Sequence, residues 1–319
     1  MTWRSCADGT DLPRKARAVV AGFIVATIAG CSSDGTRLQP TPSPVRASAT
    51  ASPIPSPSRT ISLASCSPPV ARAALHVVHR FSVSPDDIAV DASGRLWISA
   101  RTANQLFTLS PAGGTVSITK VTGGPEGIAS APSGIYVAQQ NLNAIEEVAP
   151  QHRTVVAFPN HTTNAGIDGI SVGPTSDMLL VPDSPAGSLI EVSLIRSSAP
   201  KVIATGLGRP VSATVSASGD IFVAGESTPG LVVIAPDGAV KRIGGFTDLD
   251  EVVSYGGLLY VTELNRHDVV AVDPASGASA VLAIDLPAPQ GLAVTADGVL
   301  EVVDATTDTL YSLRTCGGG

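Results

Sequence analysis

The sequence has 319 residues and a net charge of −7, and its 44% of hydrophobic residues is enough for a sizeable core. Only 15% of the residues are charged, and 31 Gly and 25 Pro interrupt the chain too often for a helical bundle. The length allows about two ordinary domains or one large all-β domain. The negative charge argues against a nucleic-acid partner.

The first thirty residues have the pattern of an export signal. A basic cluster at 14–17 precedes the uncharged run 18–30, which is too short to span a bilayer but suits a secretory signal. The run ends in Ile-Ala-Gly-Cys (28–31), which resembles the lipobox of bacterial lipoproteins. The resemblance implies removal of residues 1–30, acylation of Cys31, and an anchor on the extracytoplasmic side of a bacterial cell membrane. The alternative is an ordinary secretory signal with a chance cysteine.

Residues 31–65 are predicted to form a disordered tether. After Cys31 the segment is rich in Pro, Ser and Thr and has no aromatic residue, so it cannot bury enough apolar surface to fold. As a flexible coil it would span about 30–35 Å. We therefore expect the folded part, 66–319, to stand off the membrane. That part has 13 basic and 24 acidic side chains, a net charge of −11.

A sixfold repeat of about forty residues runs through the folded part. Alignment of motifs such as Gly-Pro-Glu-Gly-Ile-Ala (124–129) brings one position of every repeat into register at Asp87, Gly127, Gly169, Ser212, Glu251 and Gly291. Each motif is followed by a turn, an apolar strand such as 258–261, a third strand such as 268–273, and an outer strand such as 201–204. Four short strands per forty residues are typical of a β-propeller blade.

The last repeat has no fourth strand, and a surplus strand precedes the first repeat at 74–81. If this strand joins blade six, the ring closes and no open edge is left. We therefore predict an all-β fold, a six-bladed β-propeller with four antiparallel strands per blade and an N-terminal strand completing the last one.

The cysteines are consistent with this closure. Cys6 lies in the predicted signal and Cys31 is the acylation candidate, which leaves Cys66 before the surplus strand and Cys316 after the third strand of blade six. Antiparallel neighbours would place these two ends side by side, and an exported protein permits a disulfide. Two free thiols are the alternative.

The repeat motif also resembles a known family. Pro-x-Gly-Ile-Ala-Val followed by Gly-x-Leu/Ile-Tyr-Val-x-Glu/Asp resembles NHL-type repeats. Residues 72–315 are similar to the six-bladed propellers of the streptogramin lyase and senescence-marker/gluconolactonase superfamily. The resemblance implies the fold, but many activities share that scaffold.

Two positions per blade are expected to face one mouth of the central channel. The residues that start the inner strands are Asp86, Glu126, Asp168, Val211, Asp250 and Gln290. Those that end the second strands are Ala100, Gln139, Asp183, Glu226, Glu263 and Asp304. Carboxylates gathered there repel one another unless they are hydrated, protonated or metal-bound, and hard oxygen ligands suit Ca²⁺ or Mg²⁺.

The gluconolactonase resemblance implies that Glu126, Asp168 and Asp250 hold one divalent cation. A merely solvated acidic mouth is the alternative for these residues. For Asp183 and Asp304 the alternative is capping of the next turn.

No catalytic residue can be assigned from the sequence. The lyase resemblance implies a histidine base at the mouth, but none of the five histidines starts an inner strand (His76, His79, His152, His161, His267). The asparagine ligand implied by the lactonase resemblance is absent, and Gln290 is the one amide among the six starts. We therefore expect a membrane-tethered monomer that binds or senses a small molecule or protein on one face. A divalent-metal hydrolase or lyase is the alternative.

Overall fold

The computed structural model describes residues 61–110, 114, 116–159, 166–195 and 198–317. The predicted signal (1–30), the acylation candidate Cys31 and most of the predicted tether lie outside these residues. In the part of the chain that the structure describes, no helix has both the length and the apolar character needed to cross a membrane.

In the described residues, short strands form six sheets with four antiparallel strands each, one of which gains a fifth strand, and together they are the predicted six-bladed propeller. The N-terminal segment supplies β1 (Val70–Ala71) and β2 (His76–Arg80). Blade 1 has β3 (Ile88–Val90), β4 (Leu96–Ala100), β5 (Gln105–Leu109) and β6 (Val116–Lys120). Blade 2 has β7 (Pro125–Ala131), β8 (Gly134–Gln139), β9 (Ala144–Ala149) and β10 (Arg153–Ala157). Blade 3 has β11 (Ser171–Val172), β12 (Met178–Asp183), β13 (Ser188–Ser193) and β14 (Lys201–Thr205).

The second half of the chain completes the ring. Blade 4 has β15 (Arg209–Val215), β16 (Ile221–Glu226), β17 (Leu231–Ile234) and β18 (Val240–Ile243). Blade 5 has β19 (Leu249–Tyr255), β20 (Leu258–Glu263), β21 (Asp268–Val272) and β22 (Ser279–Ile284). Blade 6 has β23 (Pro289–Val294), β24 (Val299–Asp304) and β25 (Thr309–Arg314), joined by β2. The described residues also form 3₁₀ helices at Leu63–Ser65, Arg72–Ala74 and Gln140–Leu142.

In blades 1, 4, 5 and 6, a turn that contains a glycine with positive φ connects the inner strand to the second strand. In blade 4 the amide of Gly219 donates to the carbonyl of Ser216 at 2.9 Å, and Gly219 has φ 86°. Gly298 occupies the same turn of blade 6 with φ 77°. A side chain is strained in this left-handed region, so the Ser-Gly and Asp-Gly pairs of the sequence fall where the backbone needs them.

The ring closes as predicted. Strand β2 pairs antiparallel with β25, with His76 opposite Ser312 and Arg80 opposite Thr309. A disulfide joins Cys66 to Cys316 across 250 residues of sequence, so both ends of the folded chain are held at blade 6.

The segment before β2 adds a feature that the sequence did not predict. Strand β1 pairs in parallel with β22, which makes blade 5 a five-stranded sheet. The amide of Ile61 donates to the carbonyl of Gly256 at 2.8 Å, in the turn where β19 ends. Ile61 and Leu63, which the sequence assigned to the tether, pack against the apolar cluster of blades 5 and 6. The chain therefore enters the propeller on the face opposite the inner-strand starts.

Apolar side chains are buried in the seams between adjacent blades. Between blades 4 and 5, one cluster combines Phe222, Leu231 and Val233 with Leu259 and Val261. Each such side chain contributes roughly 1.5–3 kcal/mol when it is fully buried. This face-to-face packing fixes the angular position of every blade, and hence which inner-strand residues meet at the channel.

Removal of the disulfide should destabilise the propeller. The Cys66→Ser/Cys316→Ser variant is expected to lose about 2–4 kcal/mol of unfolding free energy, because the bridge restricts a long loop in the unfolded chain. Urea denaturation of the oxidised wild type and the variant measures this loss. A reducing agent should weaken the wild type alone. Equal stability of the two proteins would show that β2–β25 pairing closes the ring without help.

Candidate functional site

Acidic residues from four blades converge at one mouth of the channel. A cavity of about 20 Å³ is lined there by Asp86, Asp87, Glu126, Gly127, Asp168, Gly169, Val211, Asp250 and Glu251. The structure thus brings together five of the six inner-strand starts singled out in the sequence. Gln290, the sixth, is not among the residues that line this cavity.

The residues that end the second strands do not line the mouth cavity. Asp304 accepts the amides of Ala288 and Thr307 at 3.1 and 2.8 Å. Asp183 accepts the amide of Ala186 at 3.1 Å. These contacts are the turn capping that the sequence analysis gave as the alternative for both aspartates.

The other second-strand ends are also held within the fold. Glu263 Oε1 accepts the amide of Thr247 at 3.3 Å. Glu226 forms an ion pair with Arg209.

A second layer beneath the mouth is formed by the aligned repeat position. Here neighbouring inner strands approach so closely that the amide of Gly169 donates to the carbonyl of Val211 at 2.7 Å. A Cβ atom on Gly169 would lie 2.5 Å from that oxygen. Gly127 and Gly291 are under the same constraint, with a neighbouring backbone atom within 2.6 Å of an added Cβ atom. The glycines therefore let the six blades meet at the centre.

Two carboxyl groups occupy this glycine layer, and they join blades. Asp87 accepts the amide of Ile88 and, from blade 2, the amide of Ile128, both at 2.7 Å. Glu251 accepts the hydroxyl of Ser212 from blade 4 and the amide of Val252. The sequence analysis aligned Asp87 and Glu251 but gave them no role. Their sequence signal was an acidic residue at a repeat position that is glycine in three of the six blades.

Burial raises the pKa of the carboxyl groups at both levels. It raises the pKa of Glu251 to about 7, against the lowering effect of the Ser212 hydroxyl, and it raises the pKa of Asp87 well above its usual range. It also raises the pKa of Asp86 to about 6, which Arg101 opposes. For Glu126 and Asp250, burial comes first and the Asp168 carboxylate second, and both pKa values rise well above the usual range.

Two arginines, which the sequence analysis missed, stand at the rim of the mouth. Arg101 Nε lies 3.2 Å from Asp86 Oδ2, and its Nη1 donates to Gln140 Oε1 at 2.9 Å. Arg209 Nη2 lies 3.7 Å from Asp168 Oδ2. Both arginine side chains are more than 40% exposed. The mouth therefore already pairs guanidinium groups with its carboxylates.

The mouth has oxygen ligands of the kind that divalent cations prefer. The predicted ligands Glu126, Asp168 and Asp250 all line the cavity, and Glu126 Oε2 is buried without a hydrogen-bond partner among the described residues. However, Asp168 Oδ2 accepts the Ser184 hydroxyl at 2.9 Å and faces Arg209. Within the described ranges, no group of three or more His, Cys, Asp or Glu side chains is arranged to hold a metal ion. Of the three predicted ligands, Asp168 is therefore already engaged by protein groups.

The channel continues beneath the second layer as a cavity of about 260 Å³. Asp87 and Glu251 border it, and its lining residues include Ser130, Ser171 and Tyr255 as well as several aliphatic residues. Asp87 and Glu251 thus lie between the acidic mouth and a larger, less charged cavity.

The four histidines that the structure describes lie away from the mouth cavity. His76 and His79 belong to the outer strand β2, His152 lies 3.5 Å from Glu146 beside β10, and His267 immediately precedes β21. His161 lies outside the described residues. None of the four is placed to act as a base at the mouth.

No family model and no curated protein matches this sequence. Among solved structures, a putative gluconolactonase has 14% identity, with 77% of this chain and 94% of that chain covered and a TM-score of 0.64. The calcium-binding protein regucalcin from Agrobacterium tumefaciens has 14% identity, coverage of 77% and 95%, and a TM-score of 0.63. A streptogramin B lyase has 15% identity, coverage of 72% and 78%, and a TM-score of 0.56. At such identities the likeness shows the propeller fold alone.

Because burial raises the pKa values of these carboxyl groups, we expect the free energy of unfolding to fall as pH rises. Because the folded-state pKa of Glu251 is raised to about 7, its contribution is complete below the unfolded pKa, near 4, and is lost as pH rises through 7. Between pH 4 and pH 8, the unfolding free energy of Glu251→Gln should therefore fall by on the order of 3 kcal/mol less than that of wild type. Urea denaturation at each pH measures this difference. The exposed Asp237→Asn serves as the charge-matched control. Parallel pH profiles for wild type and Glu251→Gln would contradict the expectation.

Proposed function

We propose that this protein is a lipid-anchored, extracytoplasmic propeller that binds a positively charged group at its acidic channel mouth. The observation that carries the proposal is the convergence of Asp86, Glu126, Asp168 and Asp250 from four blades on one small cavity. Residues 66–319 have a net charge of −11, which draws cationic ligands toward the propeller over a longer range.

The size of the mouth limits what enters it. A cavity of about 20 Å³ admits little more than one small group. We infer that an ammonium or guanidinium tip of the ligand enters and that the rest lies on the rim, beside Arg101 and Gln140. A cation there would let Glu126 and Asp250 ionise, which burial and Asp168 otherwise oppose. The ligand class is therefore a polyamine or a protein segment with an exposed Lys or Arg.

The entry point of the chain supports an outward-facing mouth. Ile61 binds Gly256 on the face opposite the inner-strand starts, and the Cys66–Cys316 disulfide also follows the far end of β25. If Cys31 is anchored in a membrane, a chain that enters the propeller on this face leaves the acidic mouth on the other face accessible to a ligand.

The anchor has a direct test. Expressed in a bacterial host, the wild-type chain should partition with membranes and incorporate labelled fatty acid, whereas Cys31→Ser should incorporate none and leave the membrane fraction. Cys6→Ser is the matched control and should behave as wild type. Equal labelling of wild type and Cys31→Ser would refute the anchor without affecting the proposal for the mouth.

The binding site is tested by neutralising the mouth. Asp168→Asn/Asp250→Asn should weaken binding of spermine or of an oligolysine peptide by at least about tenfold, since each lost charge pair is worth about 1 kcal/mol or more in a buried site. Calorimetry with the full chain measures this. Asp220→Asn/Asp237→Asn neutralises two carboxylates in turns outside the mouth cavity and should bind as wild type. Equal weakening in both variants would show that net charge, and not the mouth, attracts the ligand.

A divalent-metal hydrolase or lyase is the second candidate. It is favoured by the buried Oε2 of Glu126, which has no hydrogen-bond partner among the described residues. Metal analysis after chelation separates the candidates. One tightly held ion at Glu126, Asp168 and Asp250, lost together with lactone hydrolysis in Asp168→Ala, would favour the enzyme. An unchanged melting temperature on addition of Ca²⁺ would favour the binding module.

A further inference from the structure

A second pair of buried carboxyl groups lies on blade 5, outside the mouth cavity. Glu263 ends β20 and Asp268 begins β21, and the two residues are direct partners across the turn that joins these strands. Side chains of directly opposed antiparallel residues lie on the same face of the sheet, with Cβ atoms about 5 Å apart. Glu263 is 0% exposed and Asp268 is 5% exposed.

One oxygen of each carboxyl group is left without a partner. Among the described residues, neither Glu263 Oε2 nor Asp268 Oδ1 has a hydrogen bond, although both atoms are buried. The other oxygen of Glu263 is engaged by the amide of Thr247 and lies 3.5 Å from Arg266 Nε. A buried acceptor without a donor is costly, and two buried carboxylates side by side are more costly still.

In the equivalent turn of blade 6, the buried carboxyl group has a hydrogen-bond donor on each oxygen. There Asp304 is opposed by Thr309, and both oxygens of Asp304 accept backbone amides, from Ala288 and Thr307. The other third strands begin with Gln105, Ala144, Ser188 and Leu231. Among the six blades that the structure describes, only blade 5 begins its third strand with an acid.

The surroundings supply too little positive charge for two carboxylates. The same face of blade 5 carries Leu259, Val261, Val270 and Val272, which pack against blade 4 in one apolar cluster. The charged or titratable neighbours are Arg266 and His267 in the exposed turn and Asp248 before β19. Arg266 also donates to the carbonyl of Gly245 at 3.2 Å. One guanidinium can offset one carboxylate, which leaves a second negative charge in the seam.

We propose that Glu263 and Asp268 bind one proton between them, so that the O–H of one carboxyl group donates to the unpartnered oxygen of the other. The proton comes from solvent when the chain folds and returns to solvent when the pair ionises. It gives Oε2 and Oδ1 the hydrogen bond that each lacks, and it leaves one charge facing Arg266. Consistent with this site, burial and then Glu263 raise the pKa of Asp268 to about 6, and burial raises the pKa of Glu263.

Because of this proton, the stability of the part of blade 5 that reaches the channel should depend on pH. Glu263 holds the amide of Thr247, three residues before Asp250, through its other oxygen. When the proton is lost, two like charges face each other in the seam between blades 4 and 5. The seam and the segment that leads to Asp250 are then held less tightly. This consequence does not depend on what the mouth binds.

The test compares Asp268→Asn with wild type from pH 4 to pH 8. The amide permanently donates to Glu263 Oε2 and cannot ionise. Because the folded-state pKa of Asp268 is raised, the unfolded wild type ionises first, so its unfolding equilibrium constant should rise between pH 4 and pH 6. The expected rise relative to Asp268→Asn is about tenfold per pKa unit, or roughly 100-fold in total. Urea denaturation of the full chain measures it.

The control is Asp304→Asn in the same position of blade 6. Its amide nitrogen cannot accept the backbone amides that Asp304 accepts, so this variant should be less stable than wild type at pH 8, whereas Asp268→Asn should be more stable. Infrared difference spectra should also show a protonated-carboxyl band that is weaker in Asp268→Asn. If that variant does not fold, Glu263→Gln replaces it, with the same expectation.

Two results would overturn the proposal. One is the same pH dependence for wild type and the amide variant. The other is a wild-type stability that falls with a chelator and recovers with Ca²⁺, an effect absent from Asp268→Asn. That second result would mean that a cation, and not a proton, lies between the two oxygens.

Discussion

Closure of the ring is the constraint on which the other features of this protein depend. Strand β2 must leave the N-terminal segment and pair with β25, 229 or more residues away in the sequence. The Cys66–Cys316 disulfide keeps these ends together. Once the ring is closed, each apolar seam is packed on both sides and no blade can rotate alone. The six inner strands are then forced toward one axis.

That convergence explains why charge accumulates at the centre. Glycines let the strands approach within hydrogen-bonding distance at the second layer, and the converging backbone there surrounds the carboxyl groups of Asp87 and Glu251. Burial therefore raises the pKa of carboxyl groups that would be unremarkable on a surface. Keeping several carboxyl groups buried near one another lowers the stability of the fold. Such a loss of stability is typical of functional sites.

The two acidic sites differ in how they are neutralised. At the mouth, Arg101 and Arg209 reach the carboxylates from a solvent-exposed rim, so an incoming cation can compete with them. On blade 5, Glu263 and Asp268 are enclosed by a seam and have one guanidinium nearby. An accessible acidic cluster can exchange cations with solvent, whereas an enclosed pair can exchange little more than a proton. The geometry therefore favours ligand binding at the first site and pH dependence at the second.

The sequence by itself determined the blade number, the strand order and the closing strand, because these follow from the spacing of the aligned motifs and from the missing fourth strand of the last repeat. It also brought Asp86, Glu126, Asp168 and Asp250 to one mouth, since position within a repeat translates directly into position along the channel axis. Only the tertiary structure decided what each carboxyl group faces. The approach of Arg209 to Asp168, the burial of Asp87 and the unpartnered oxygen of Asp268 depend on side-chain directions and distances between elements. A repeat pattern contains no information about either.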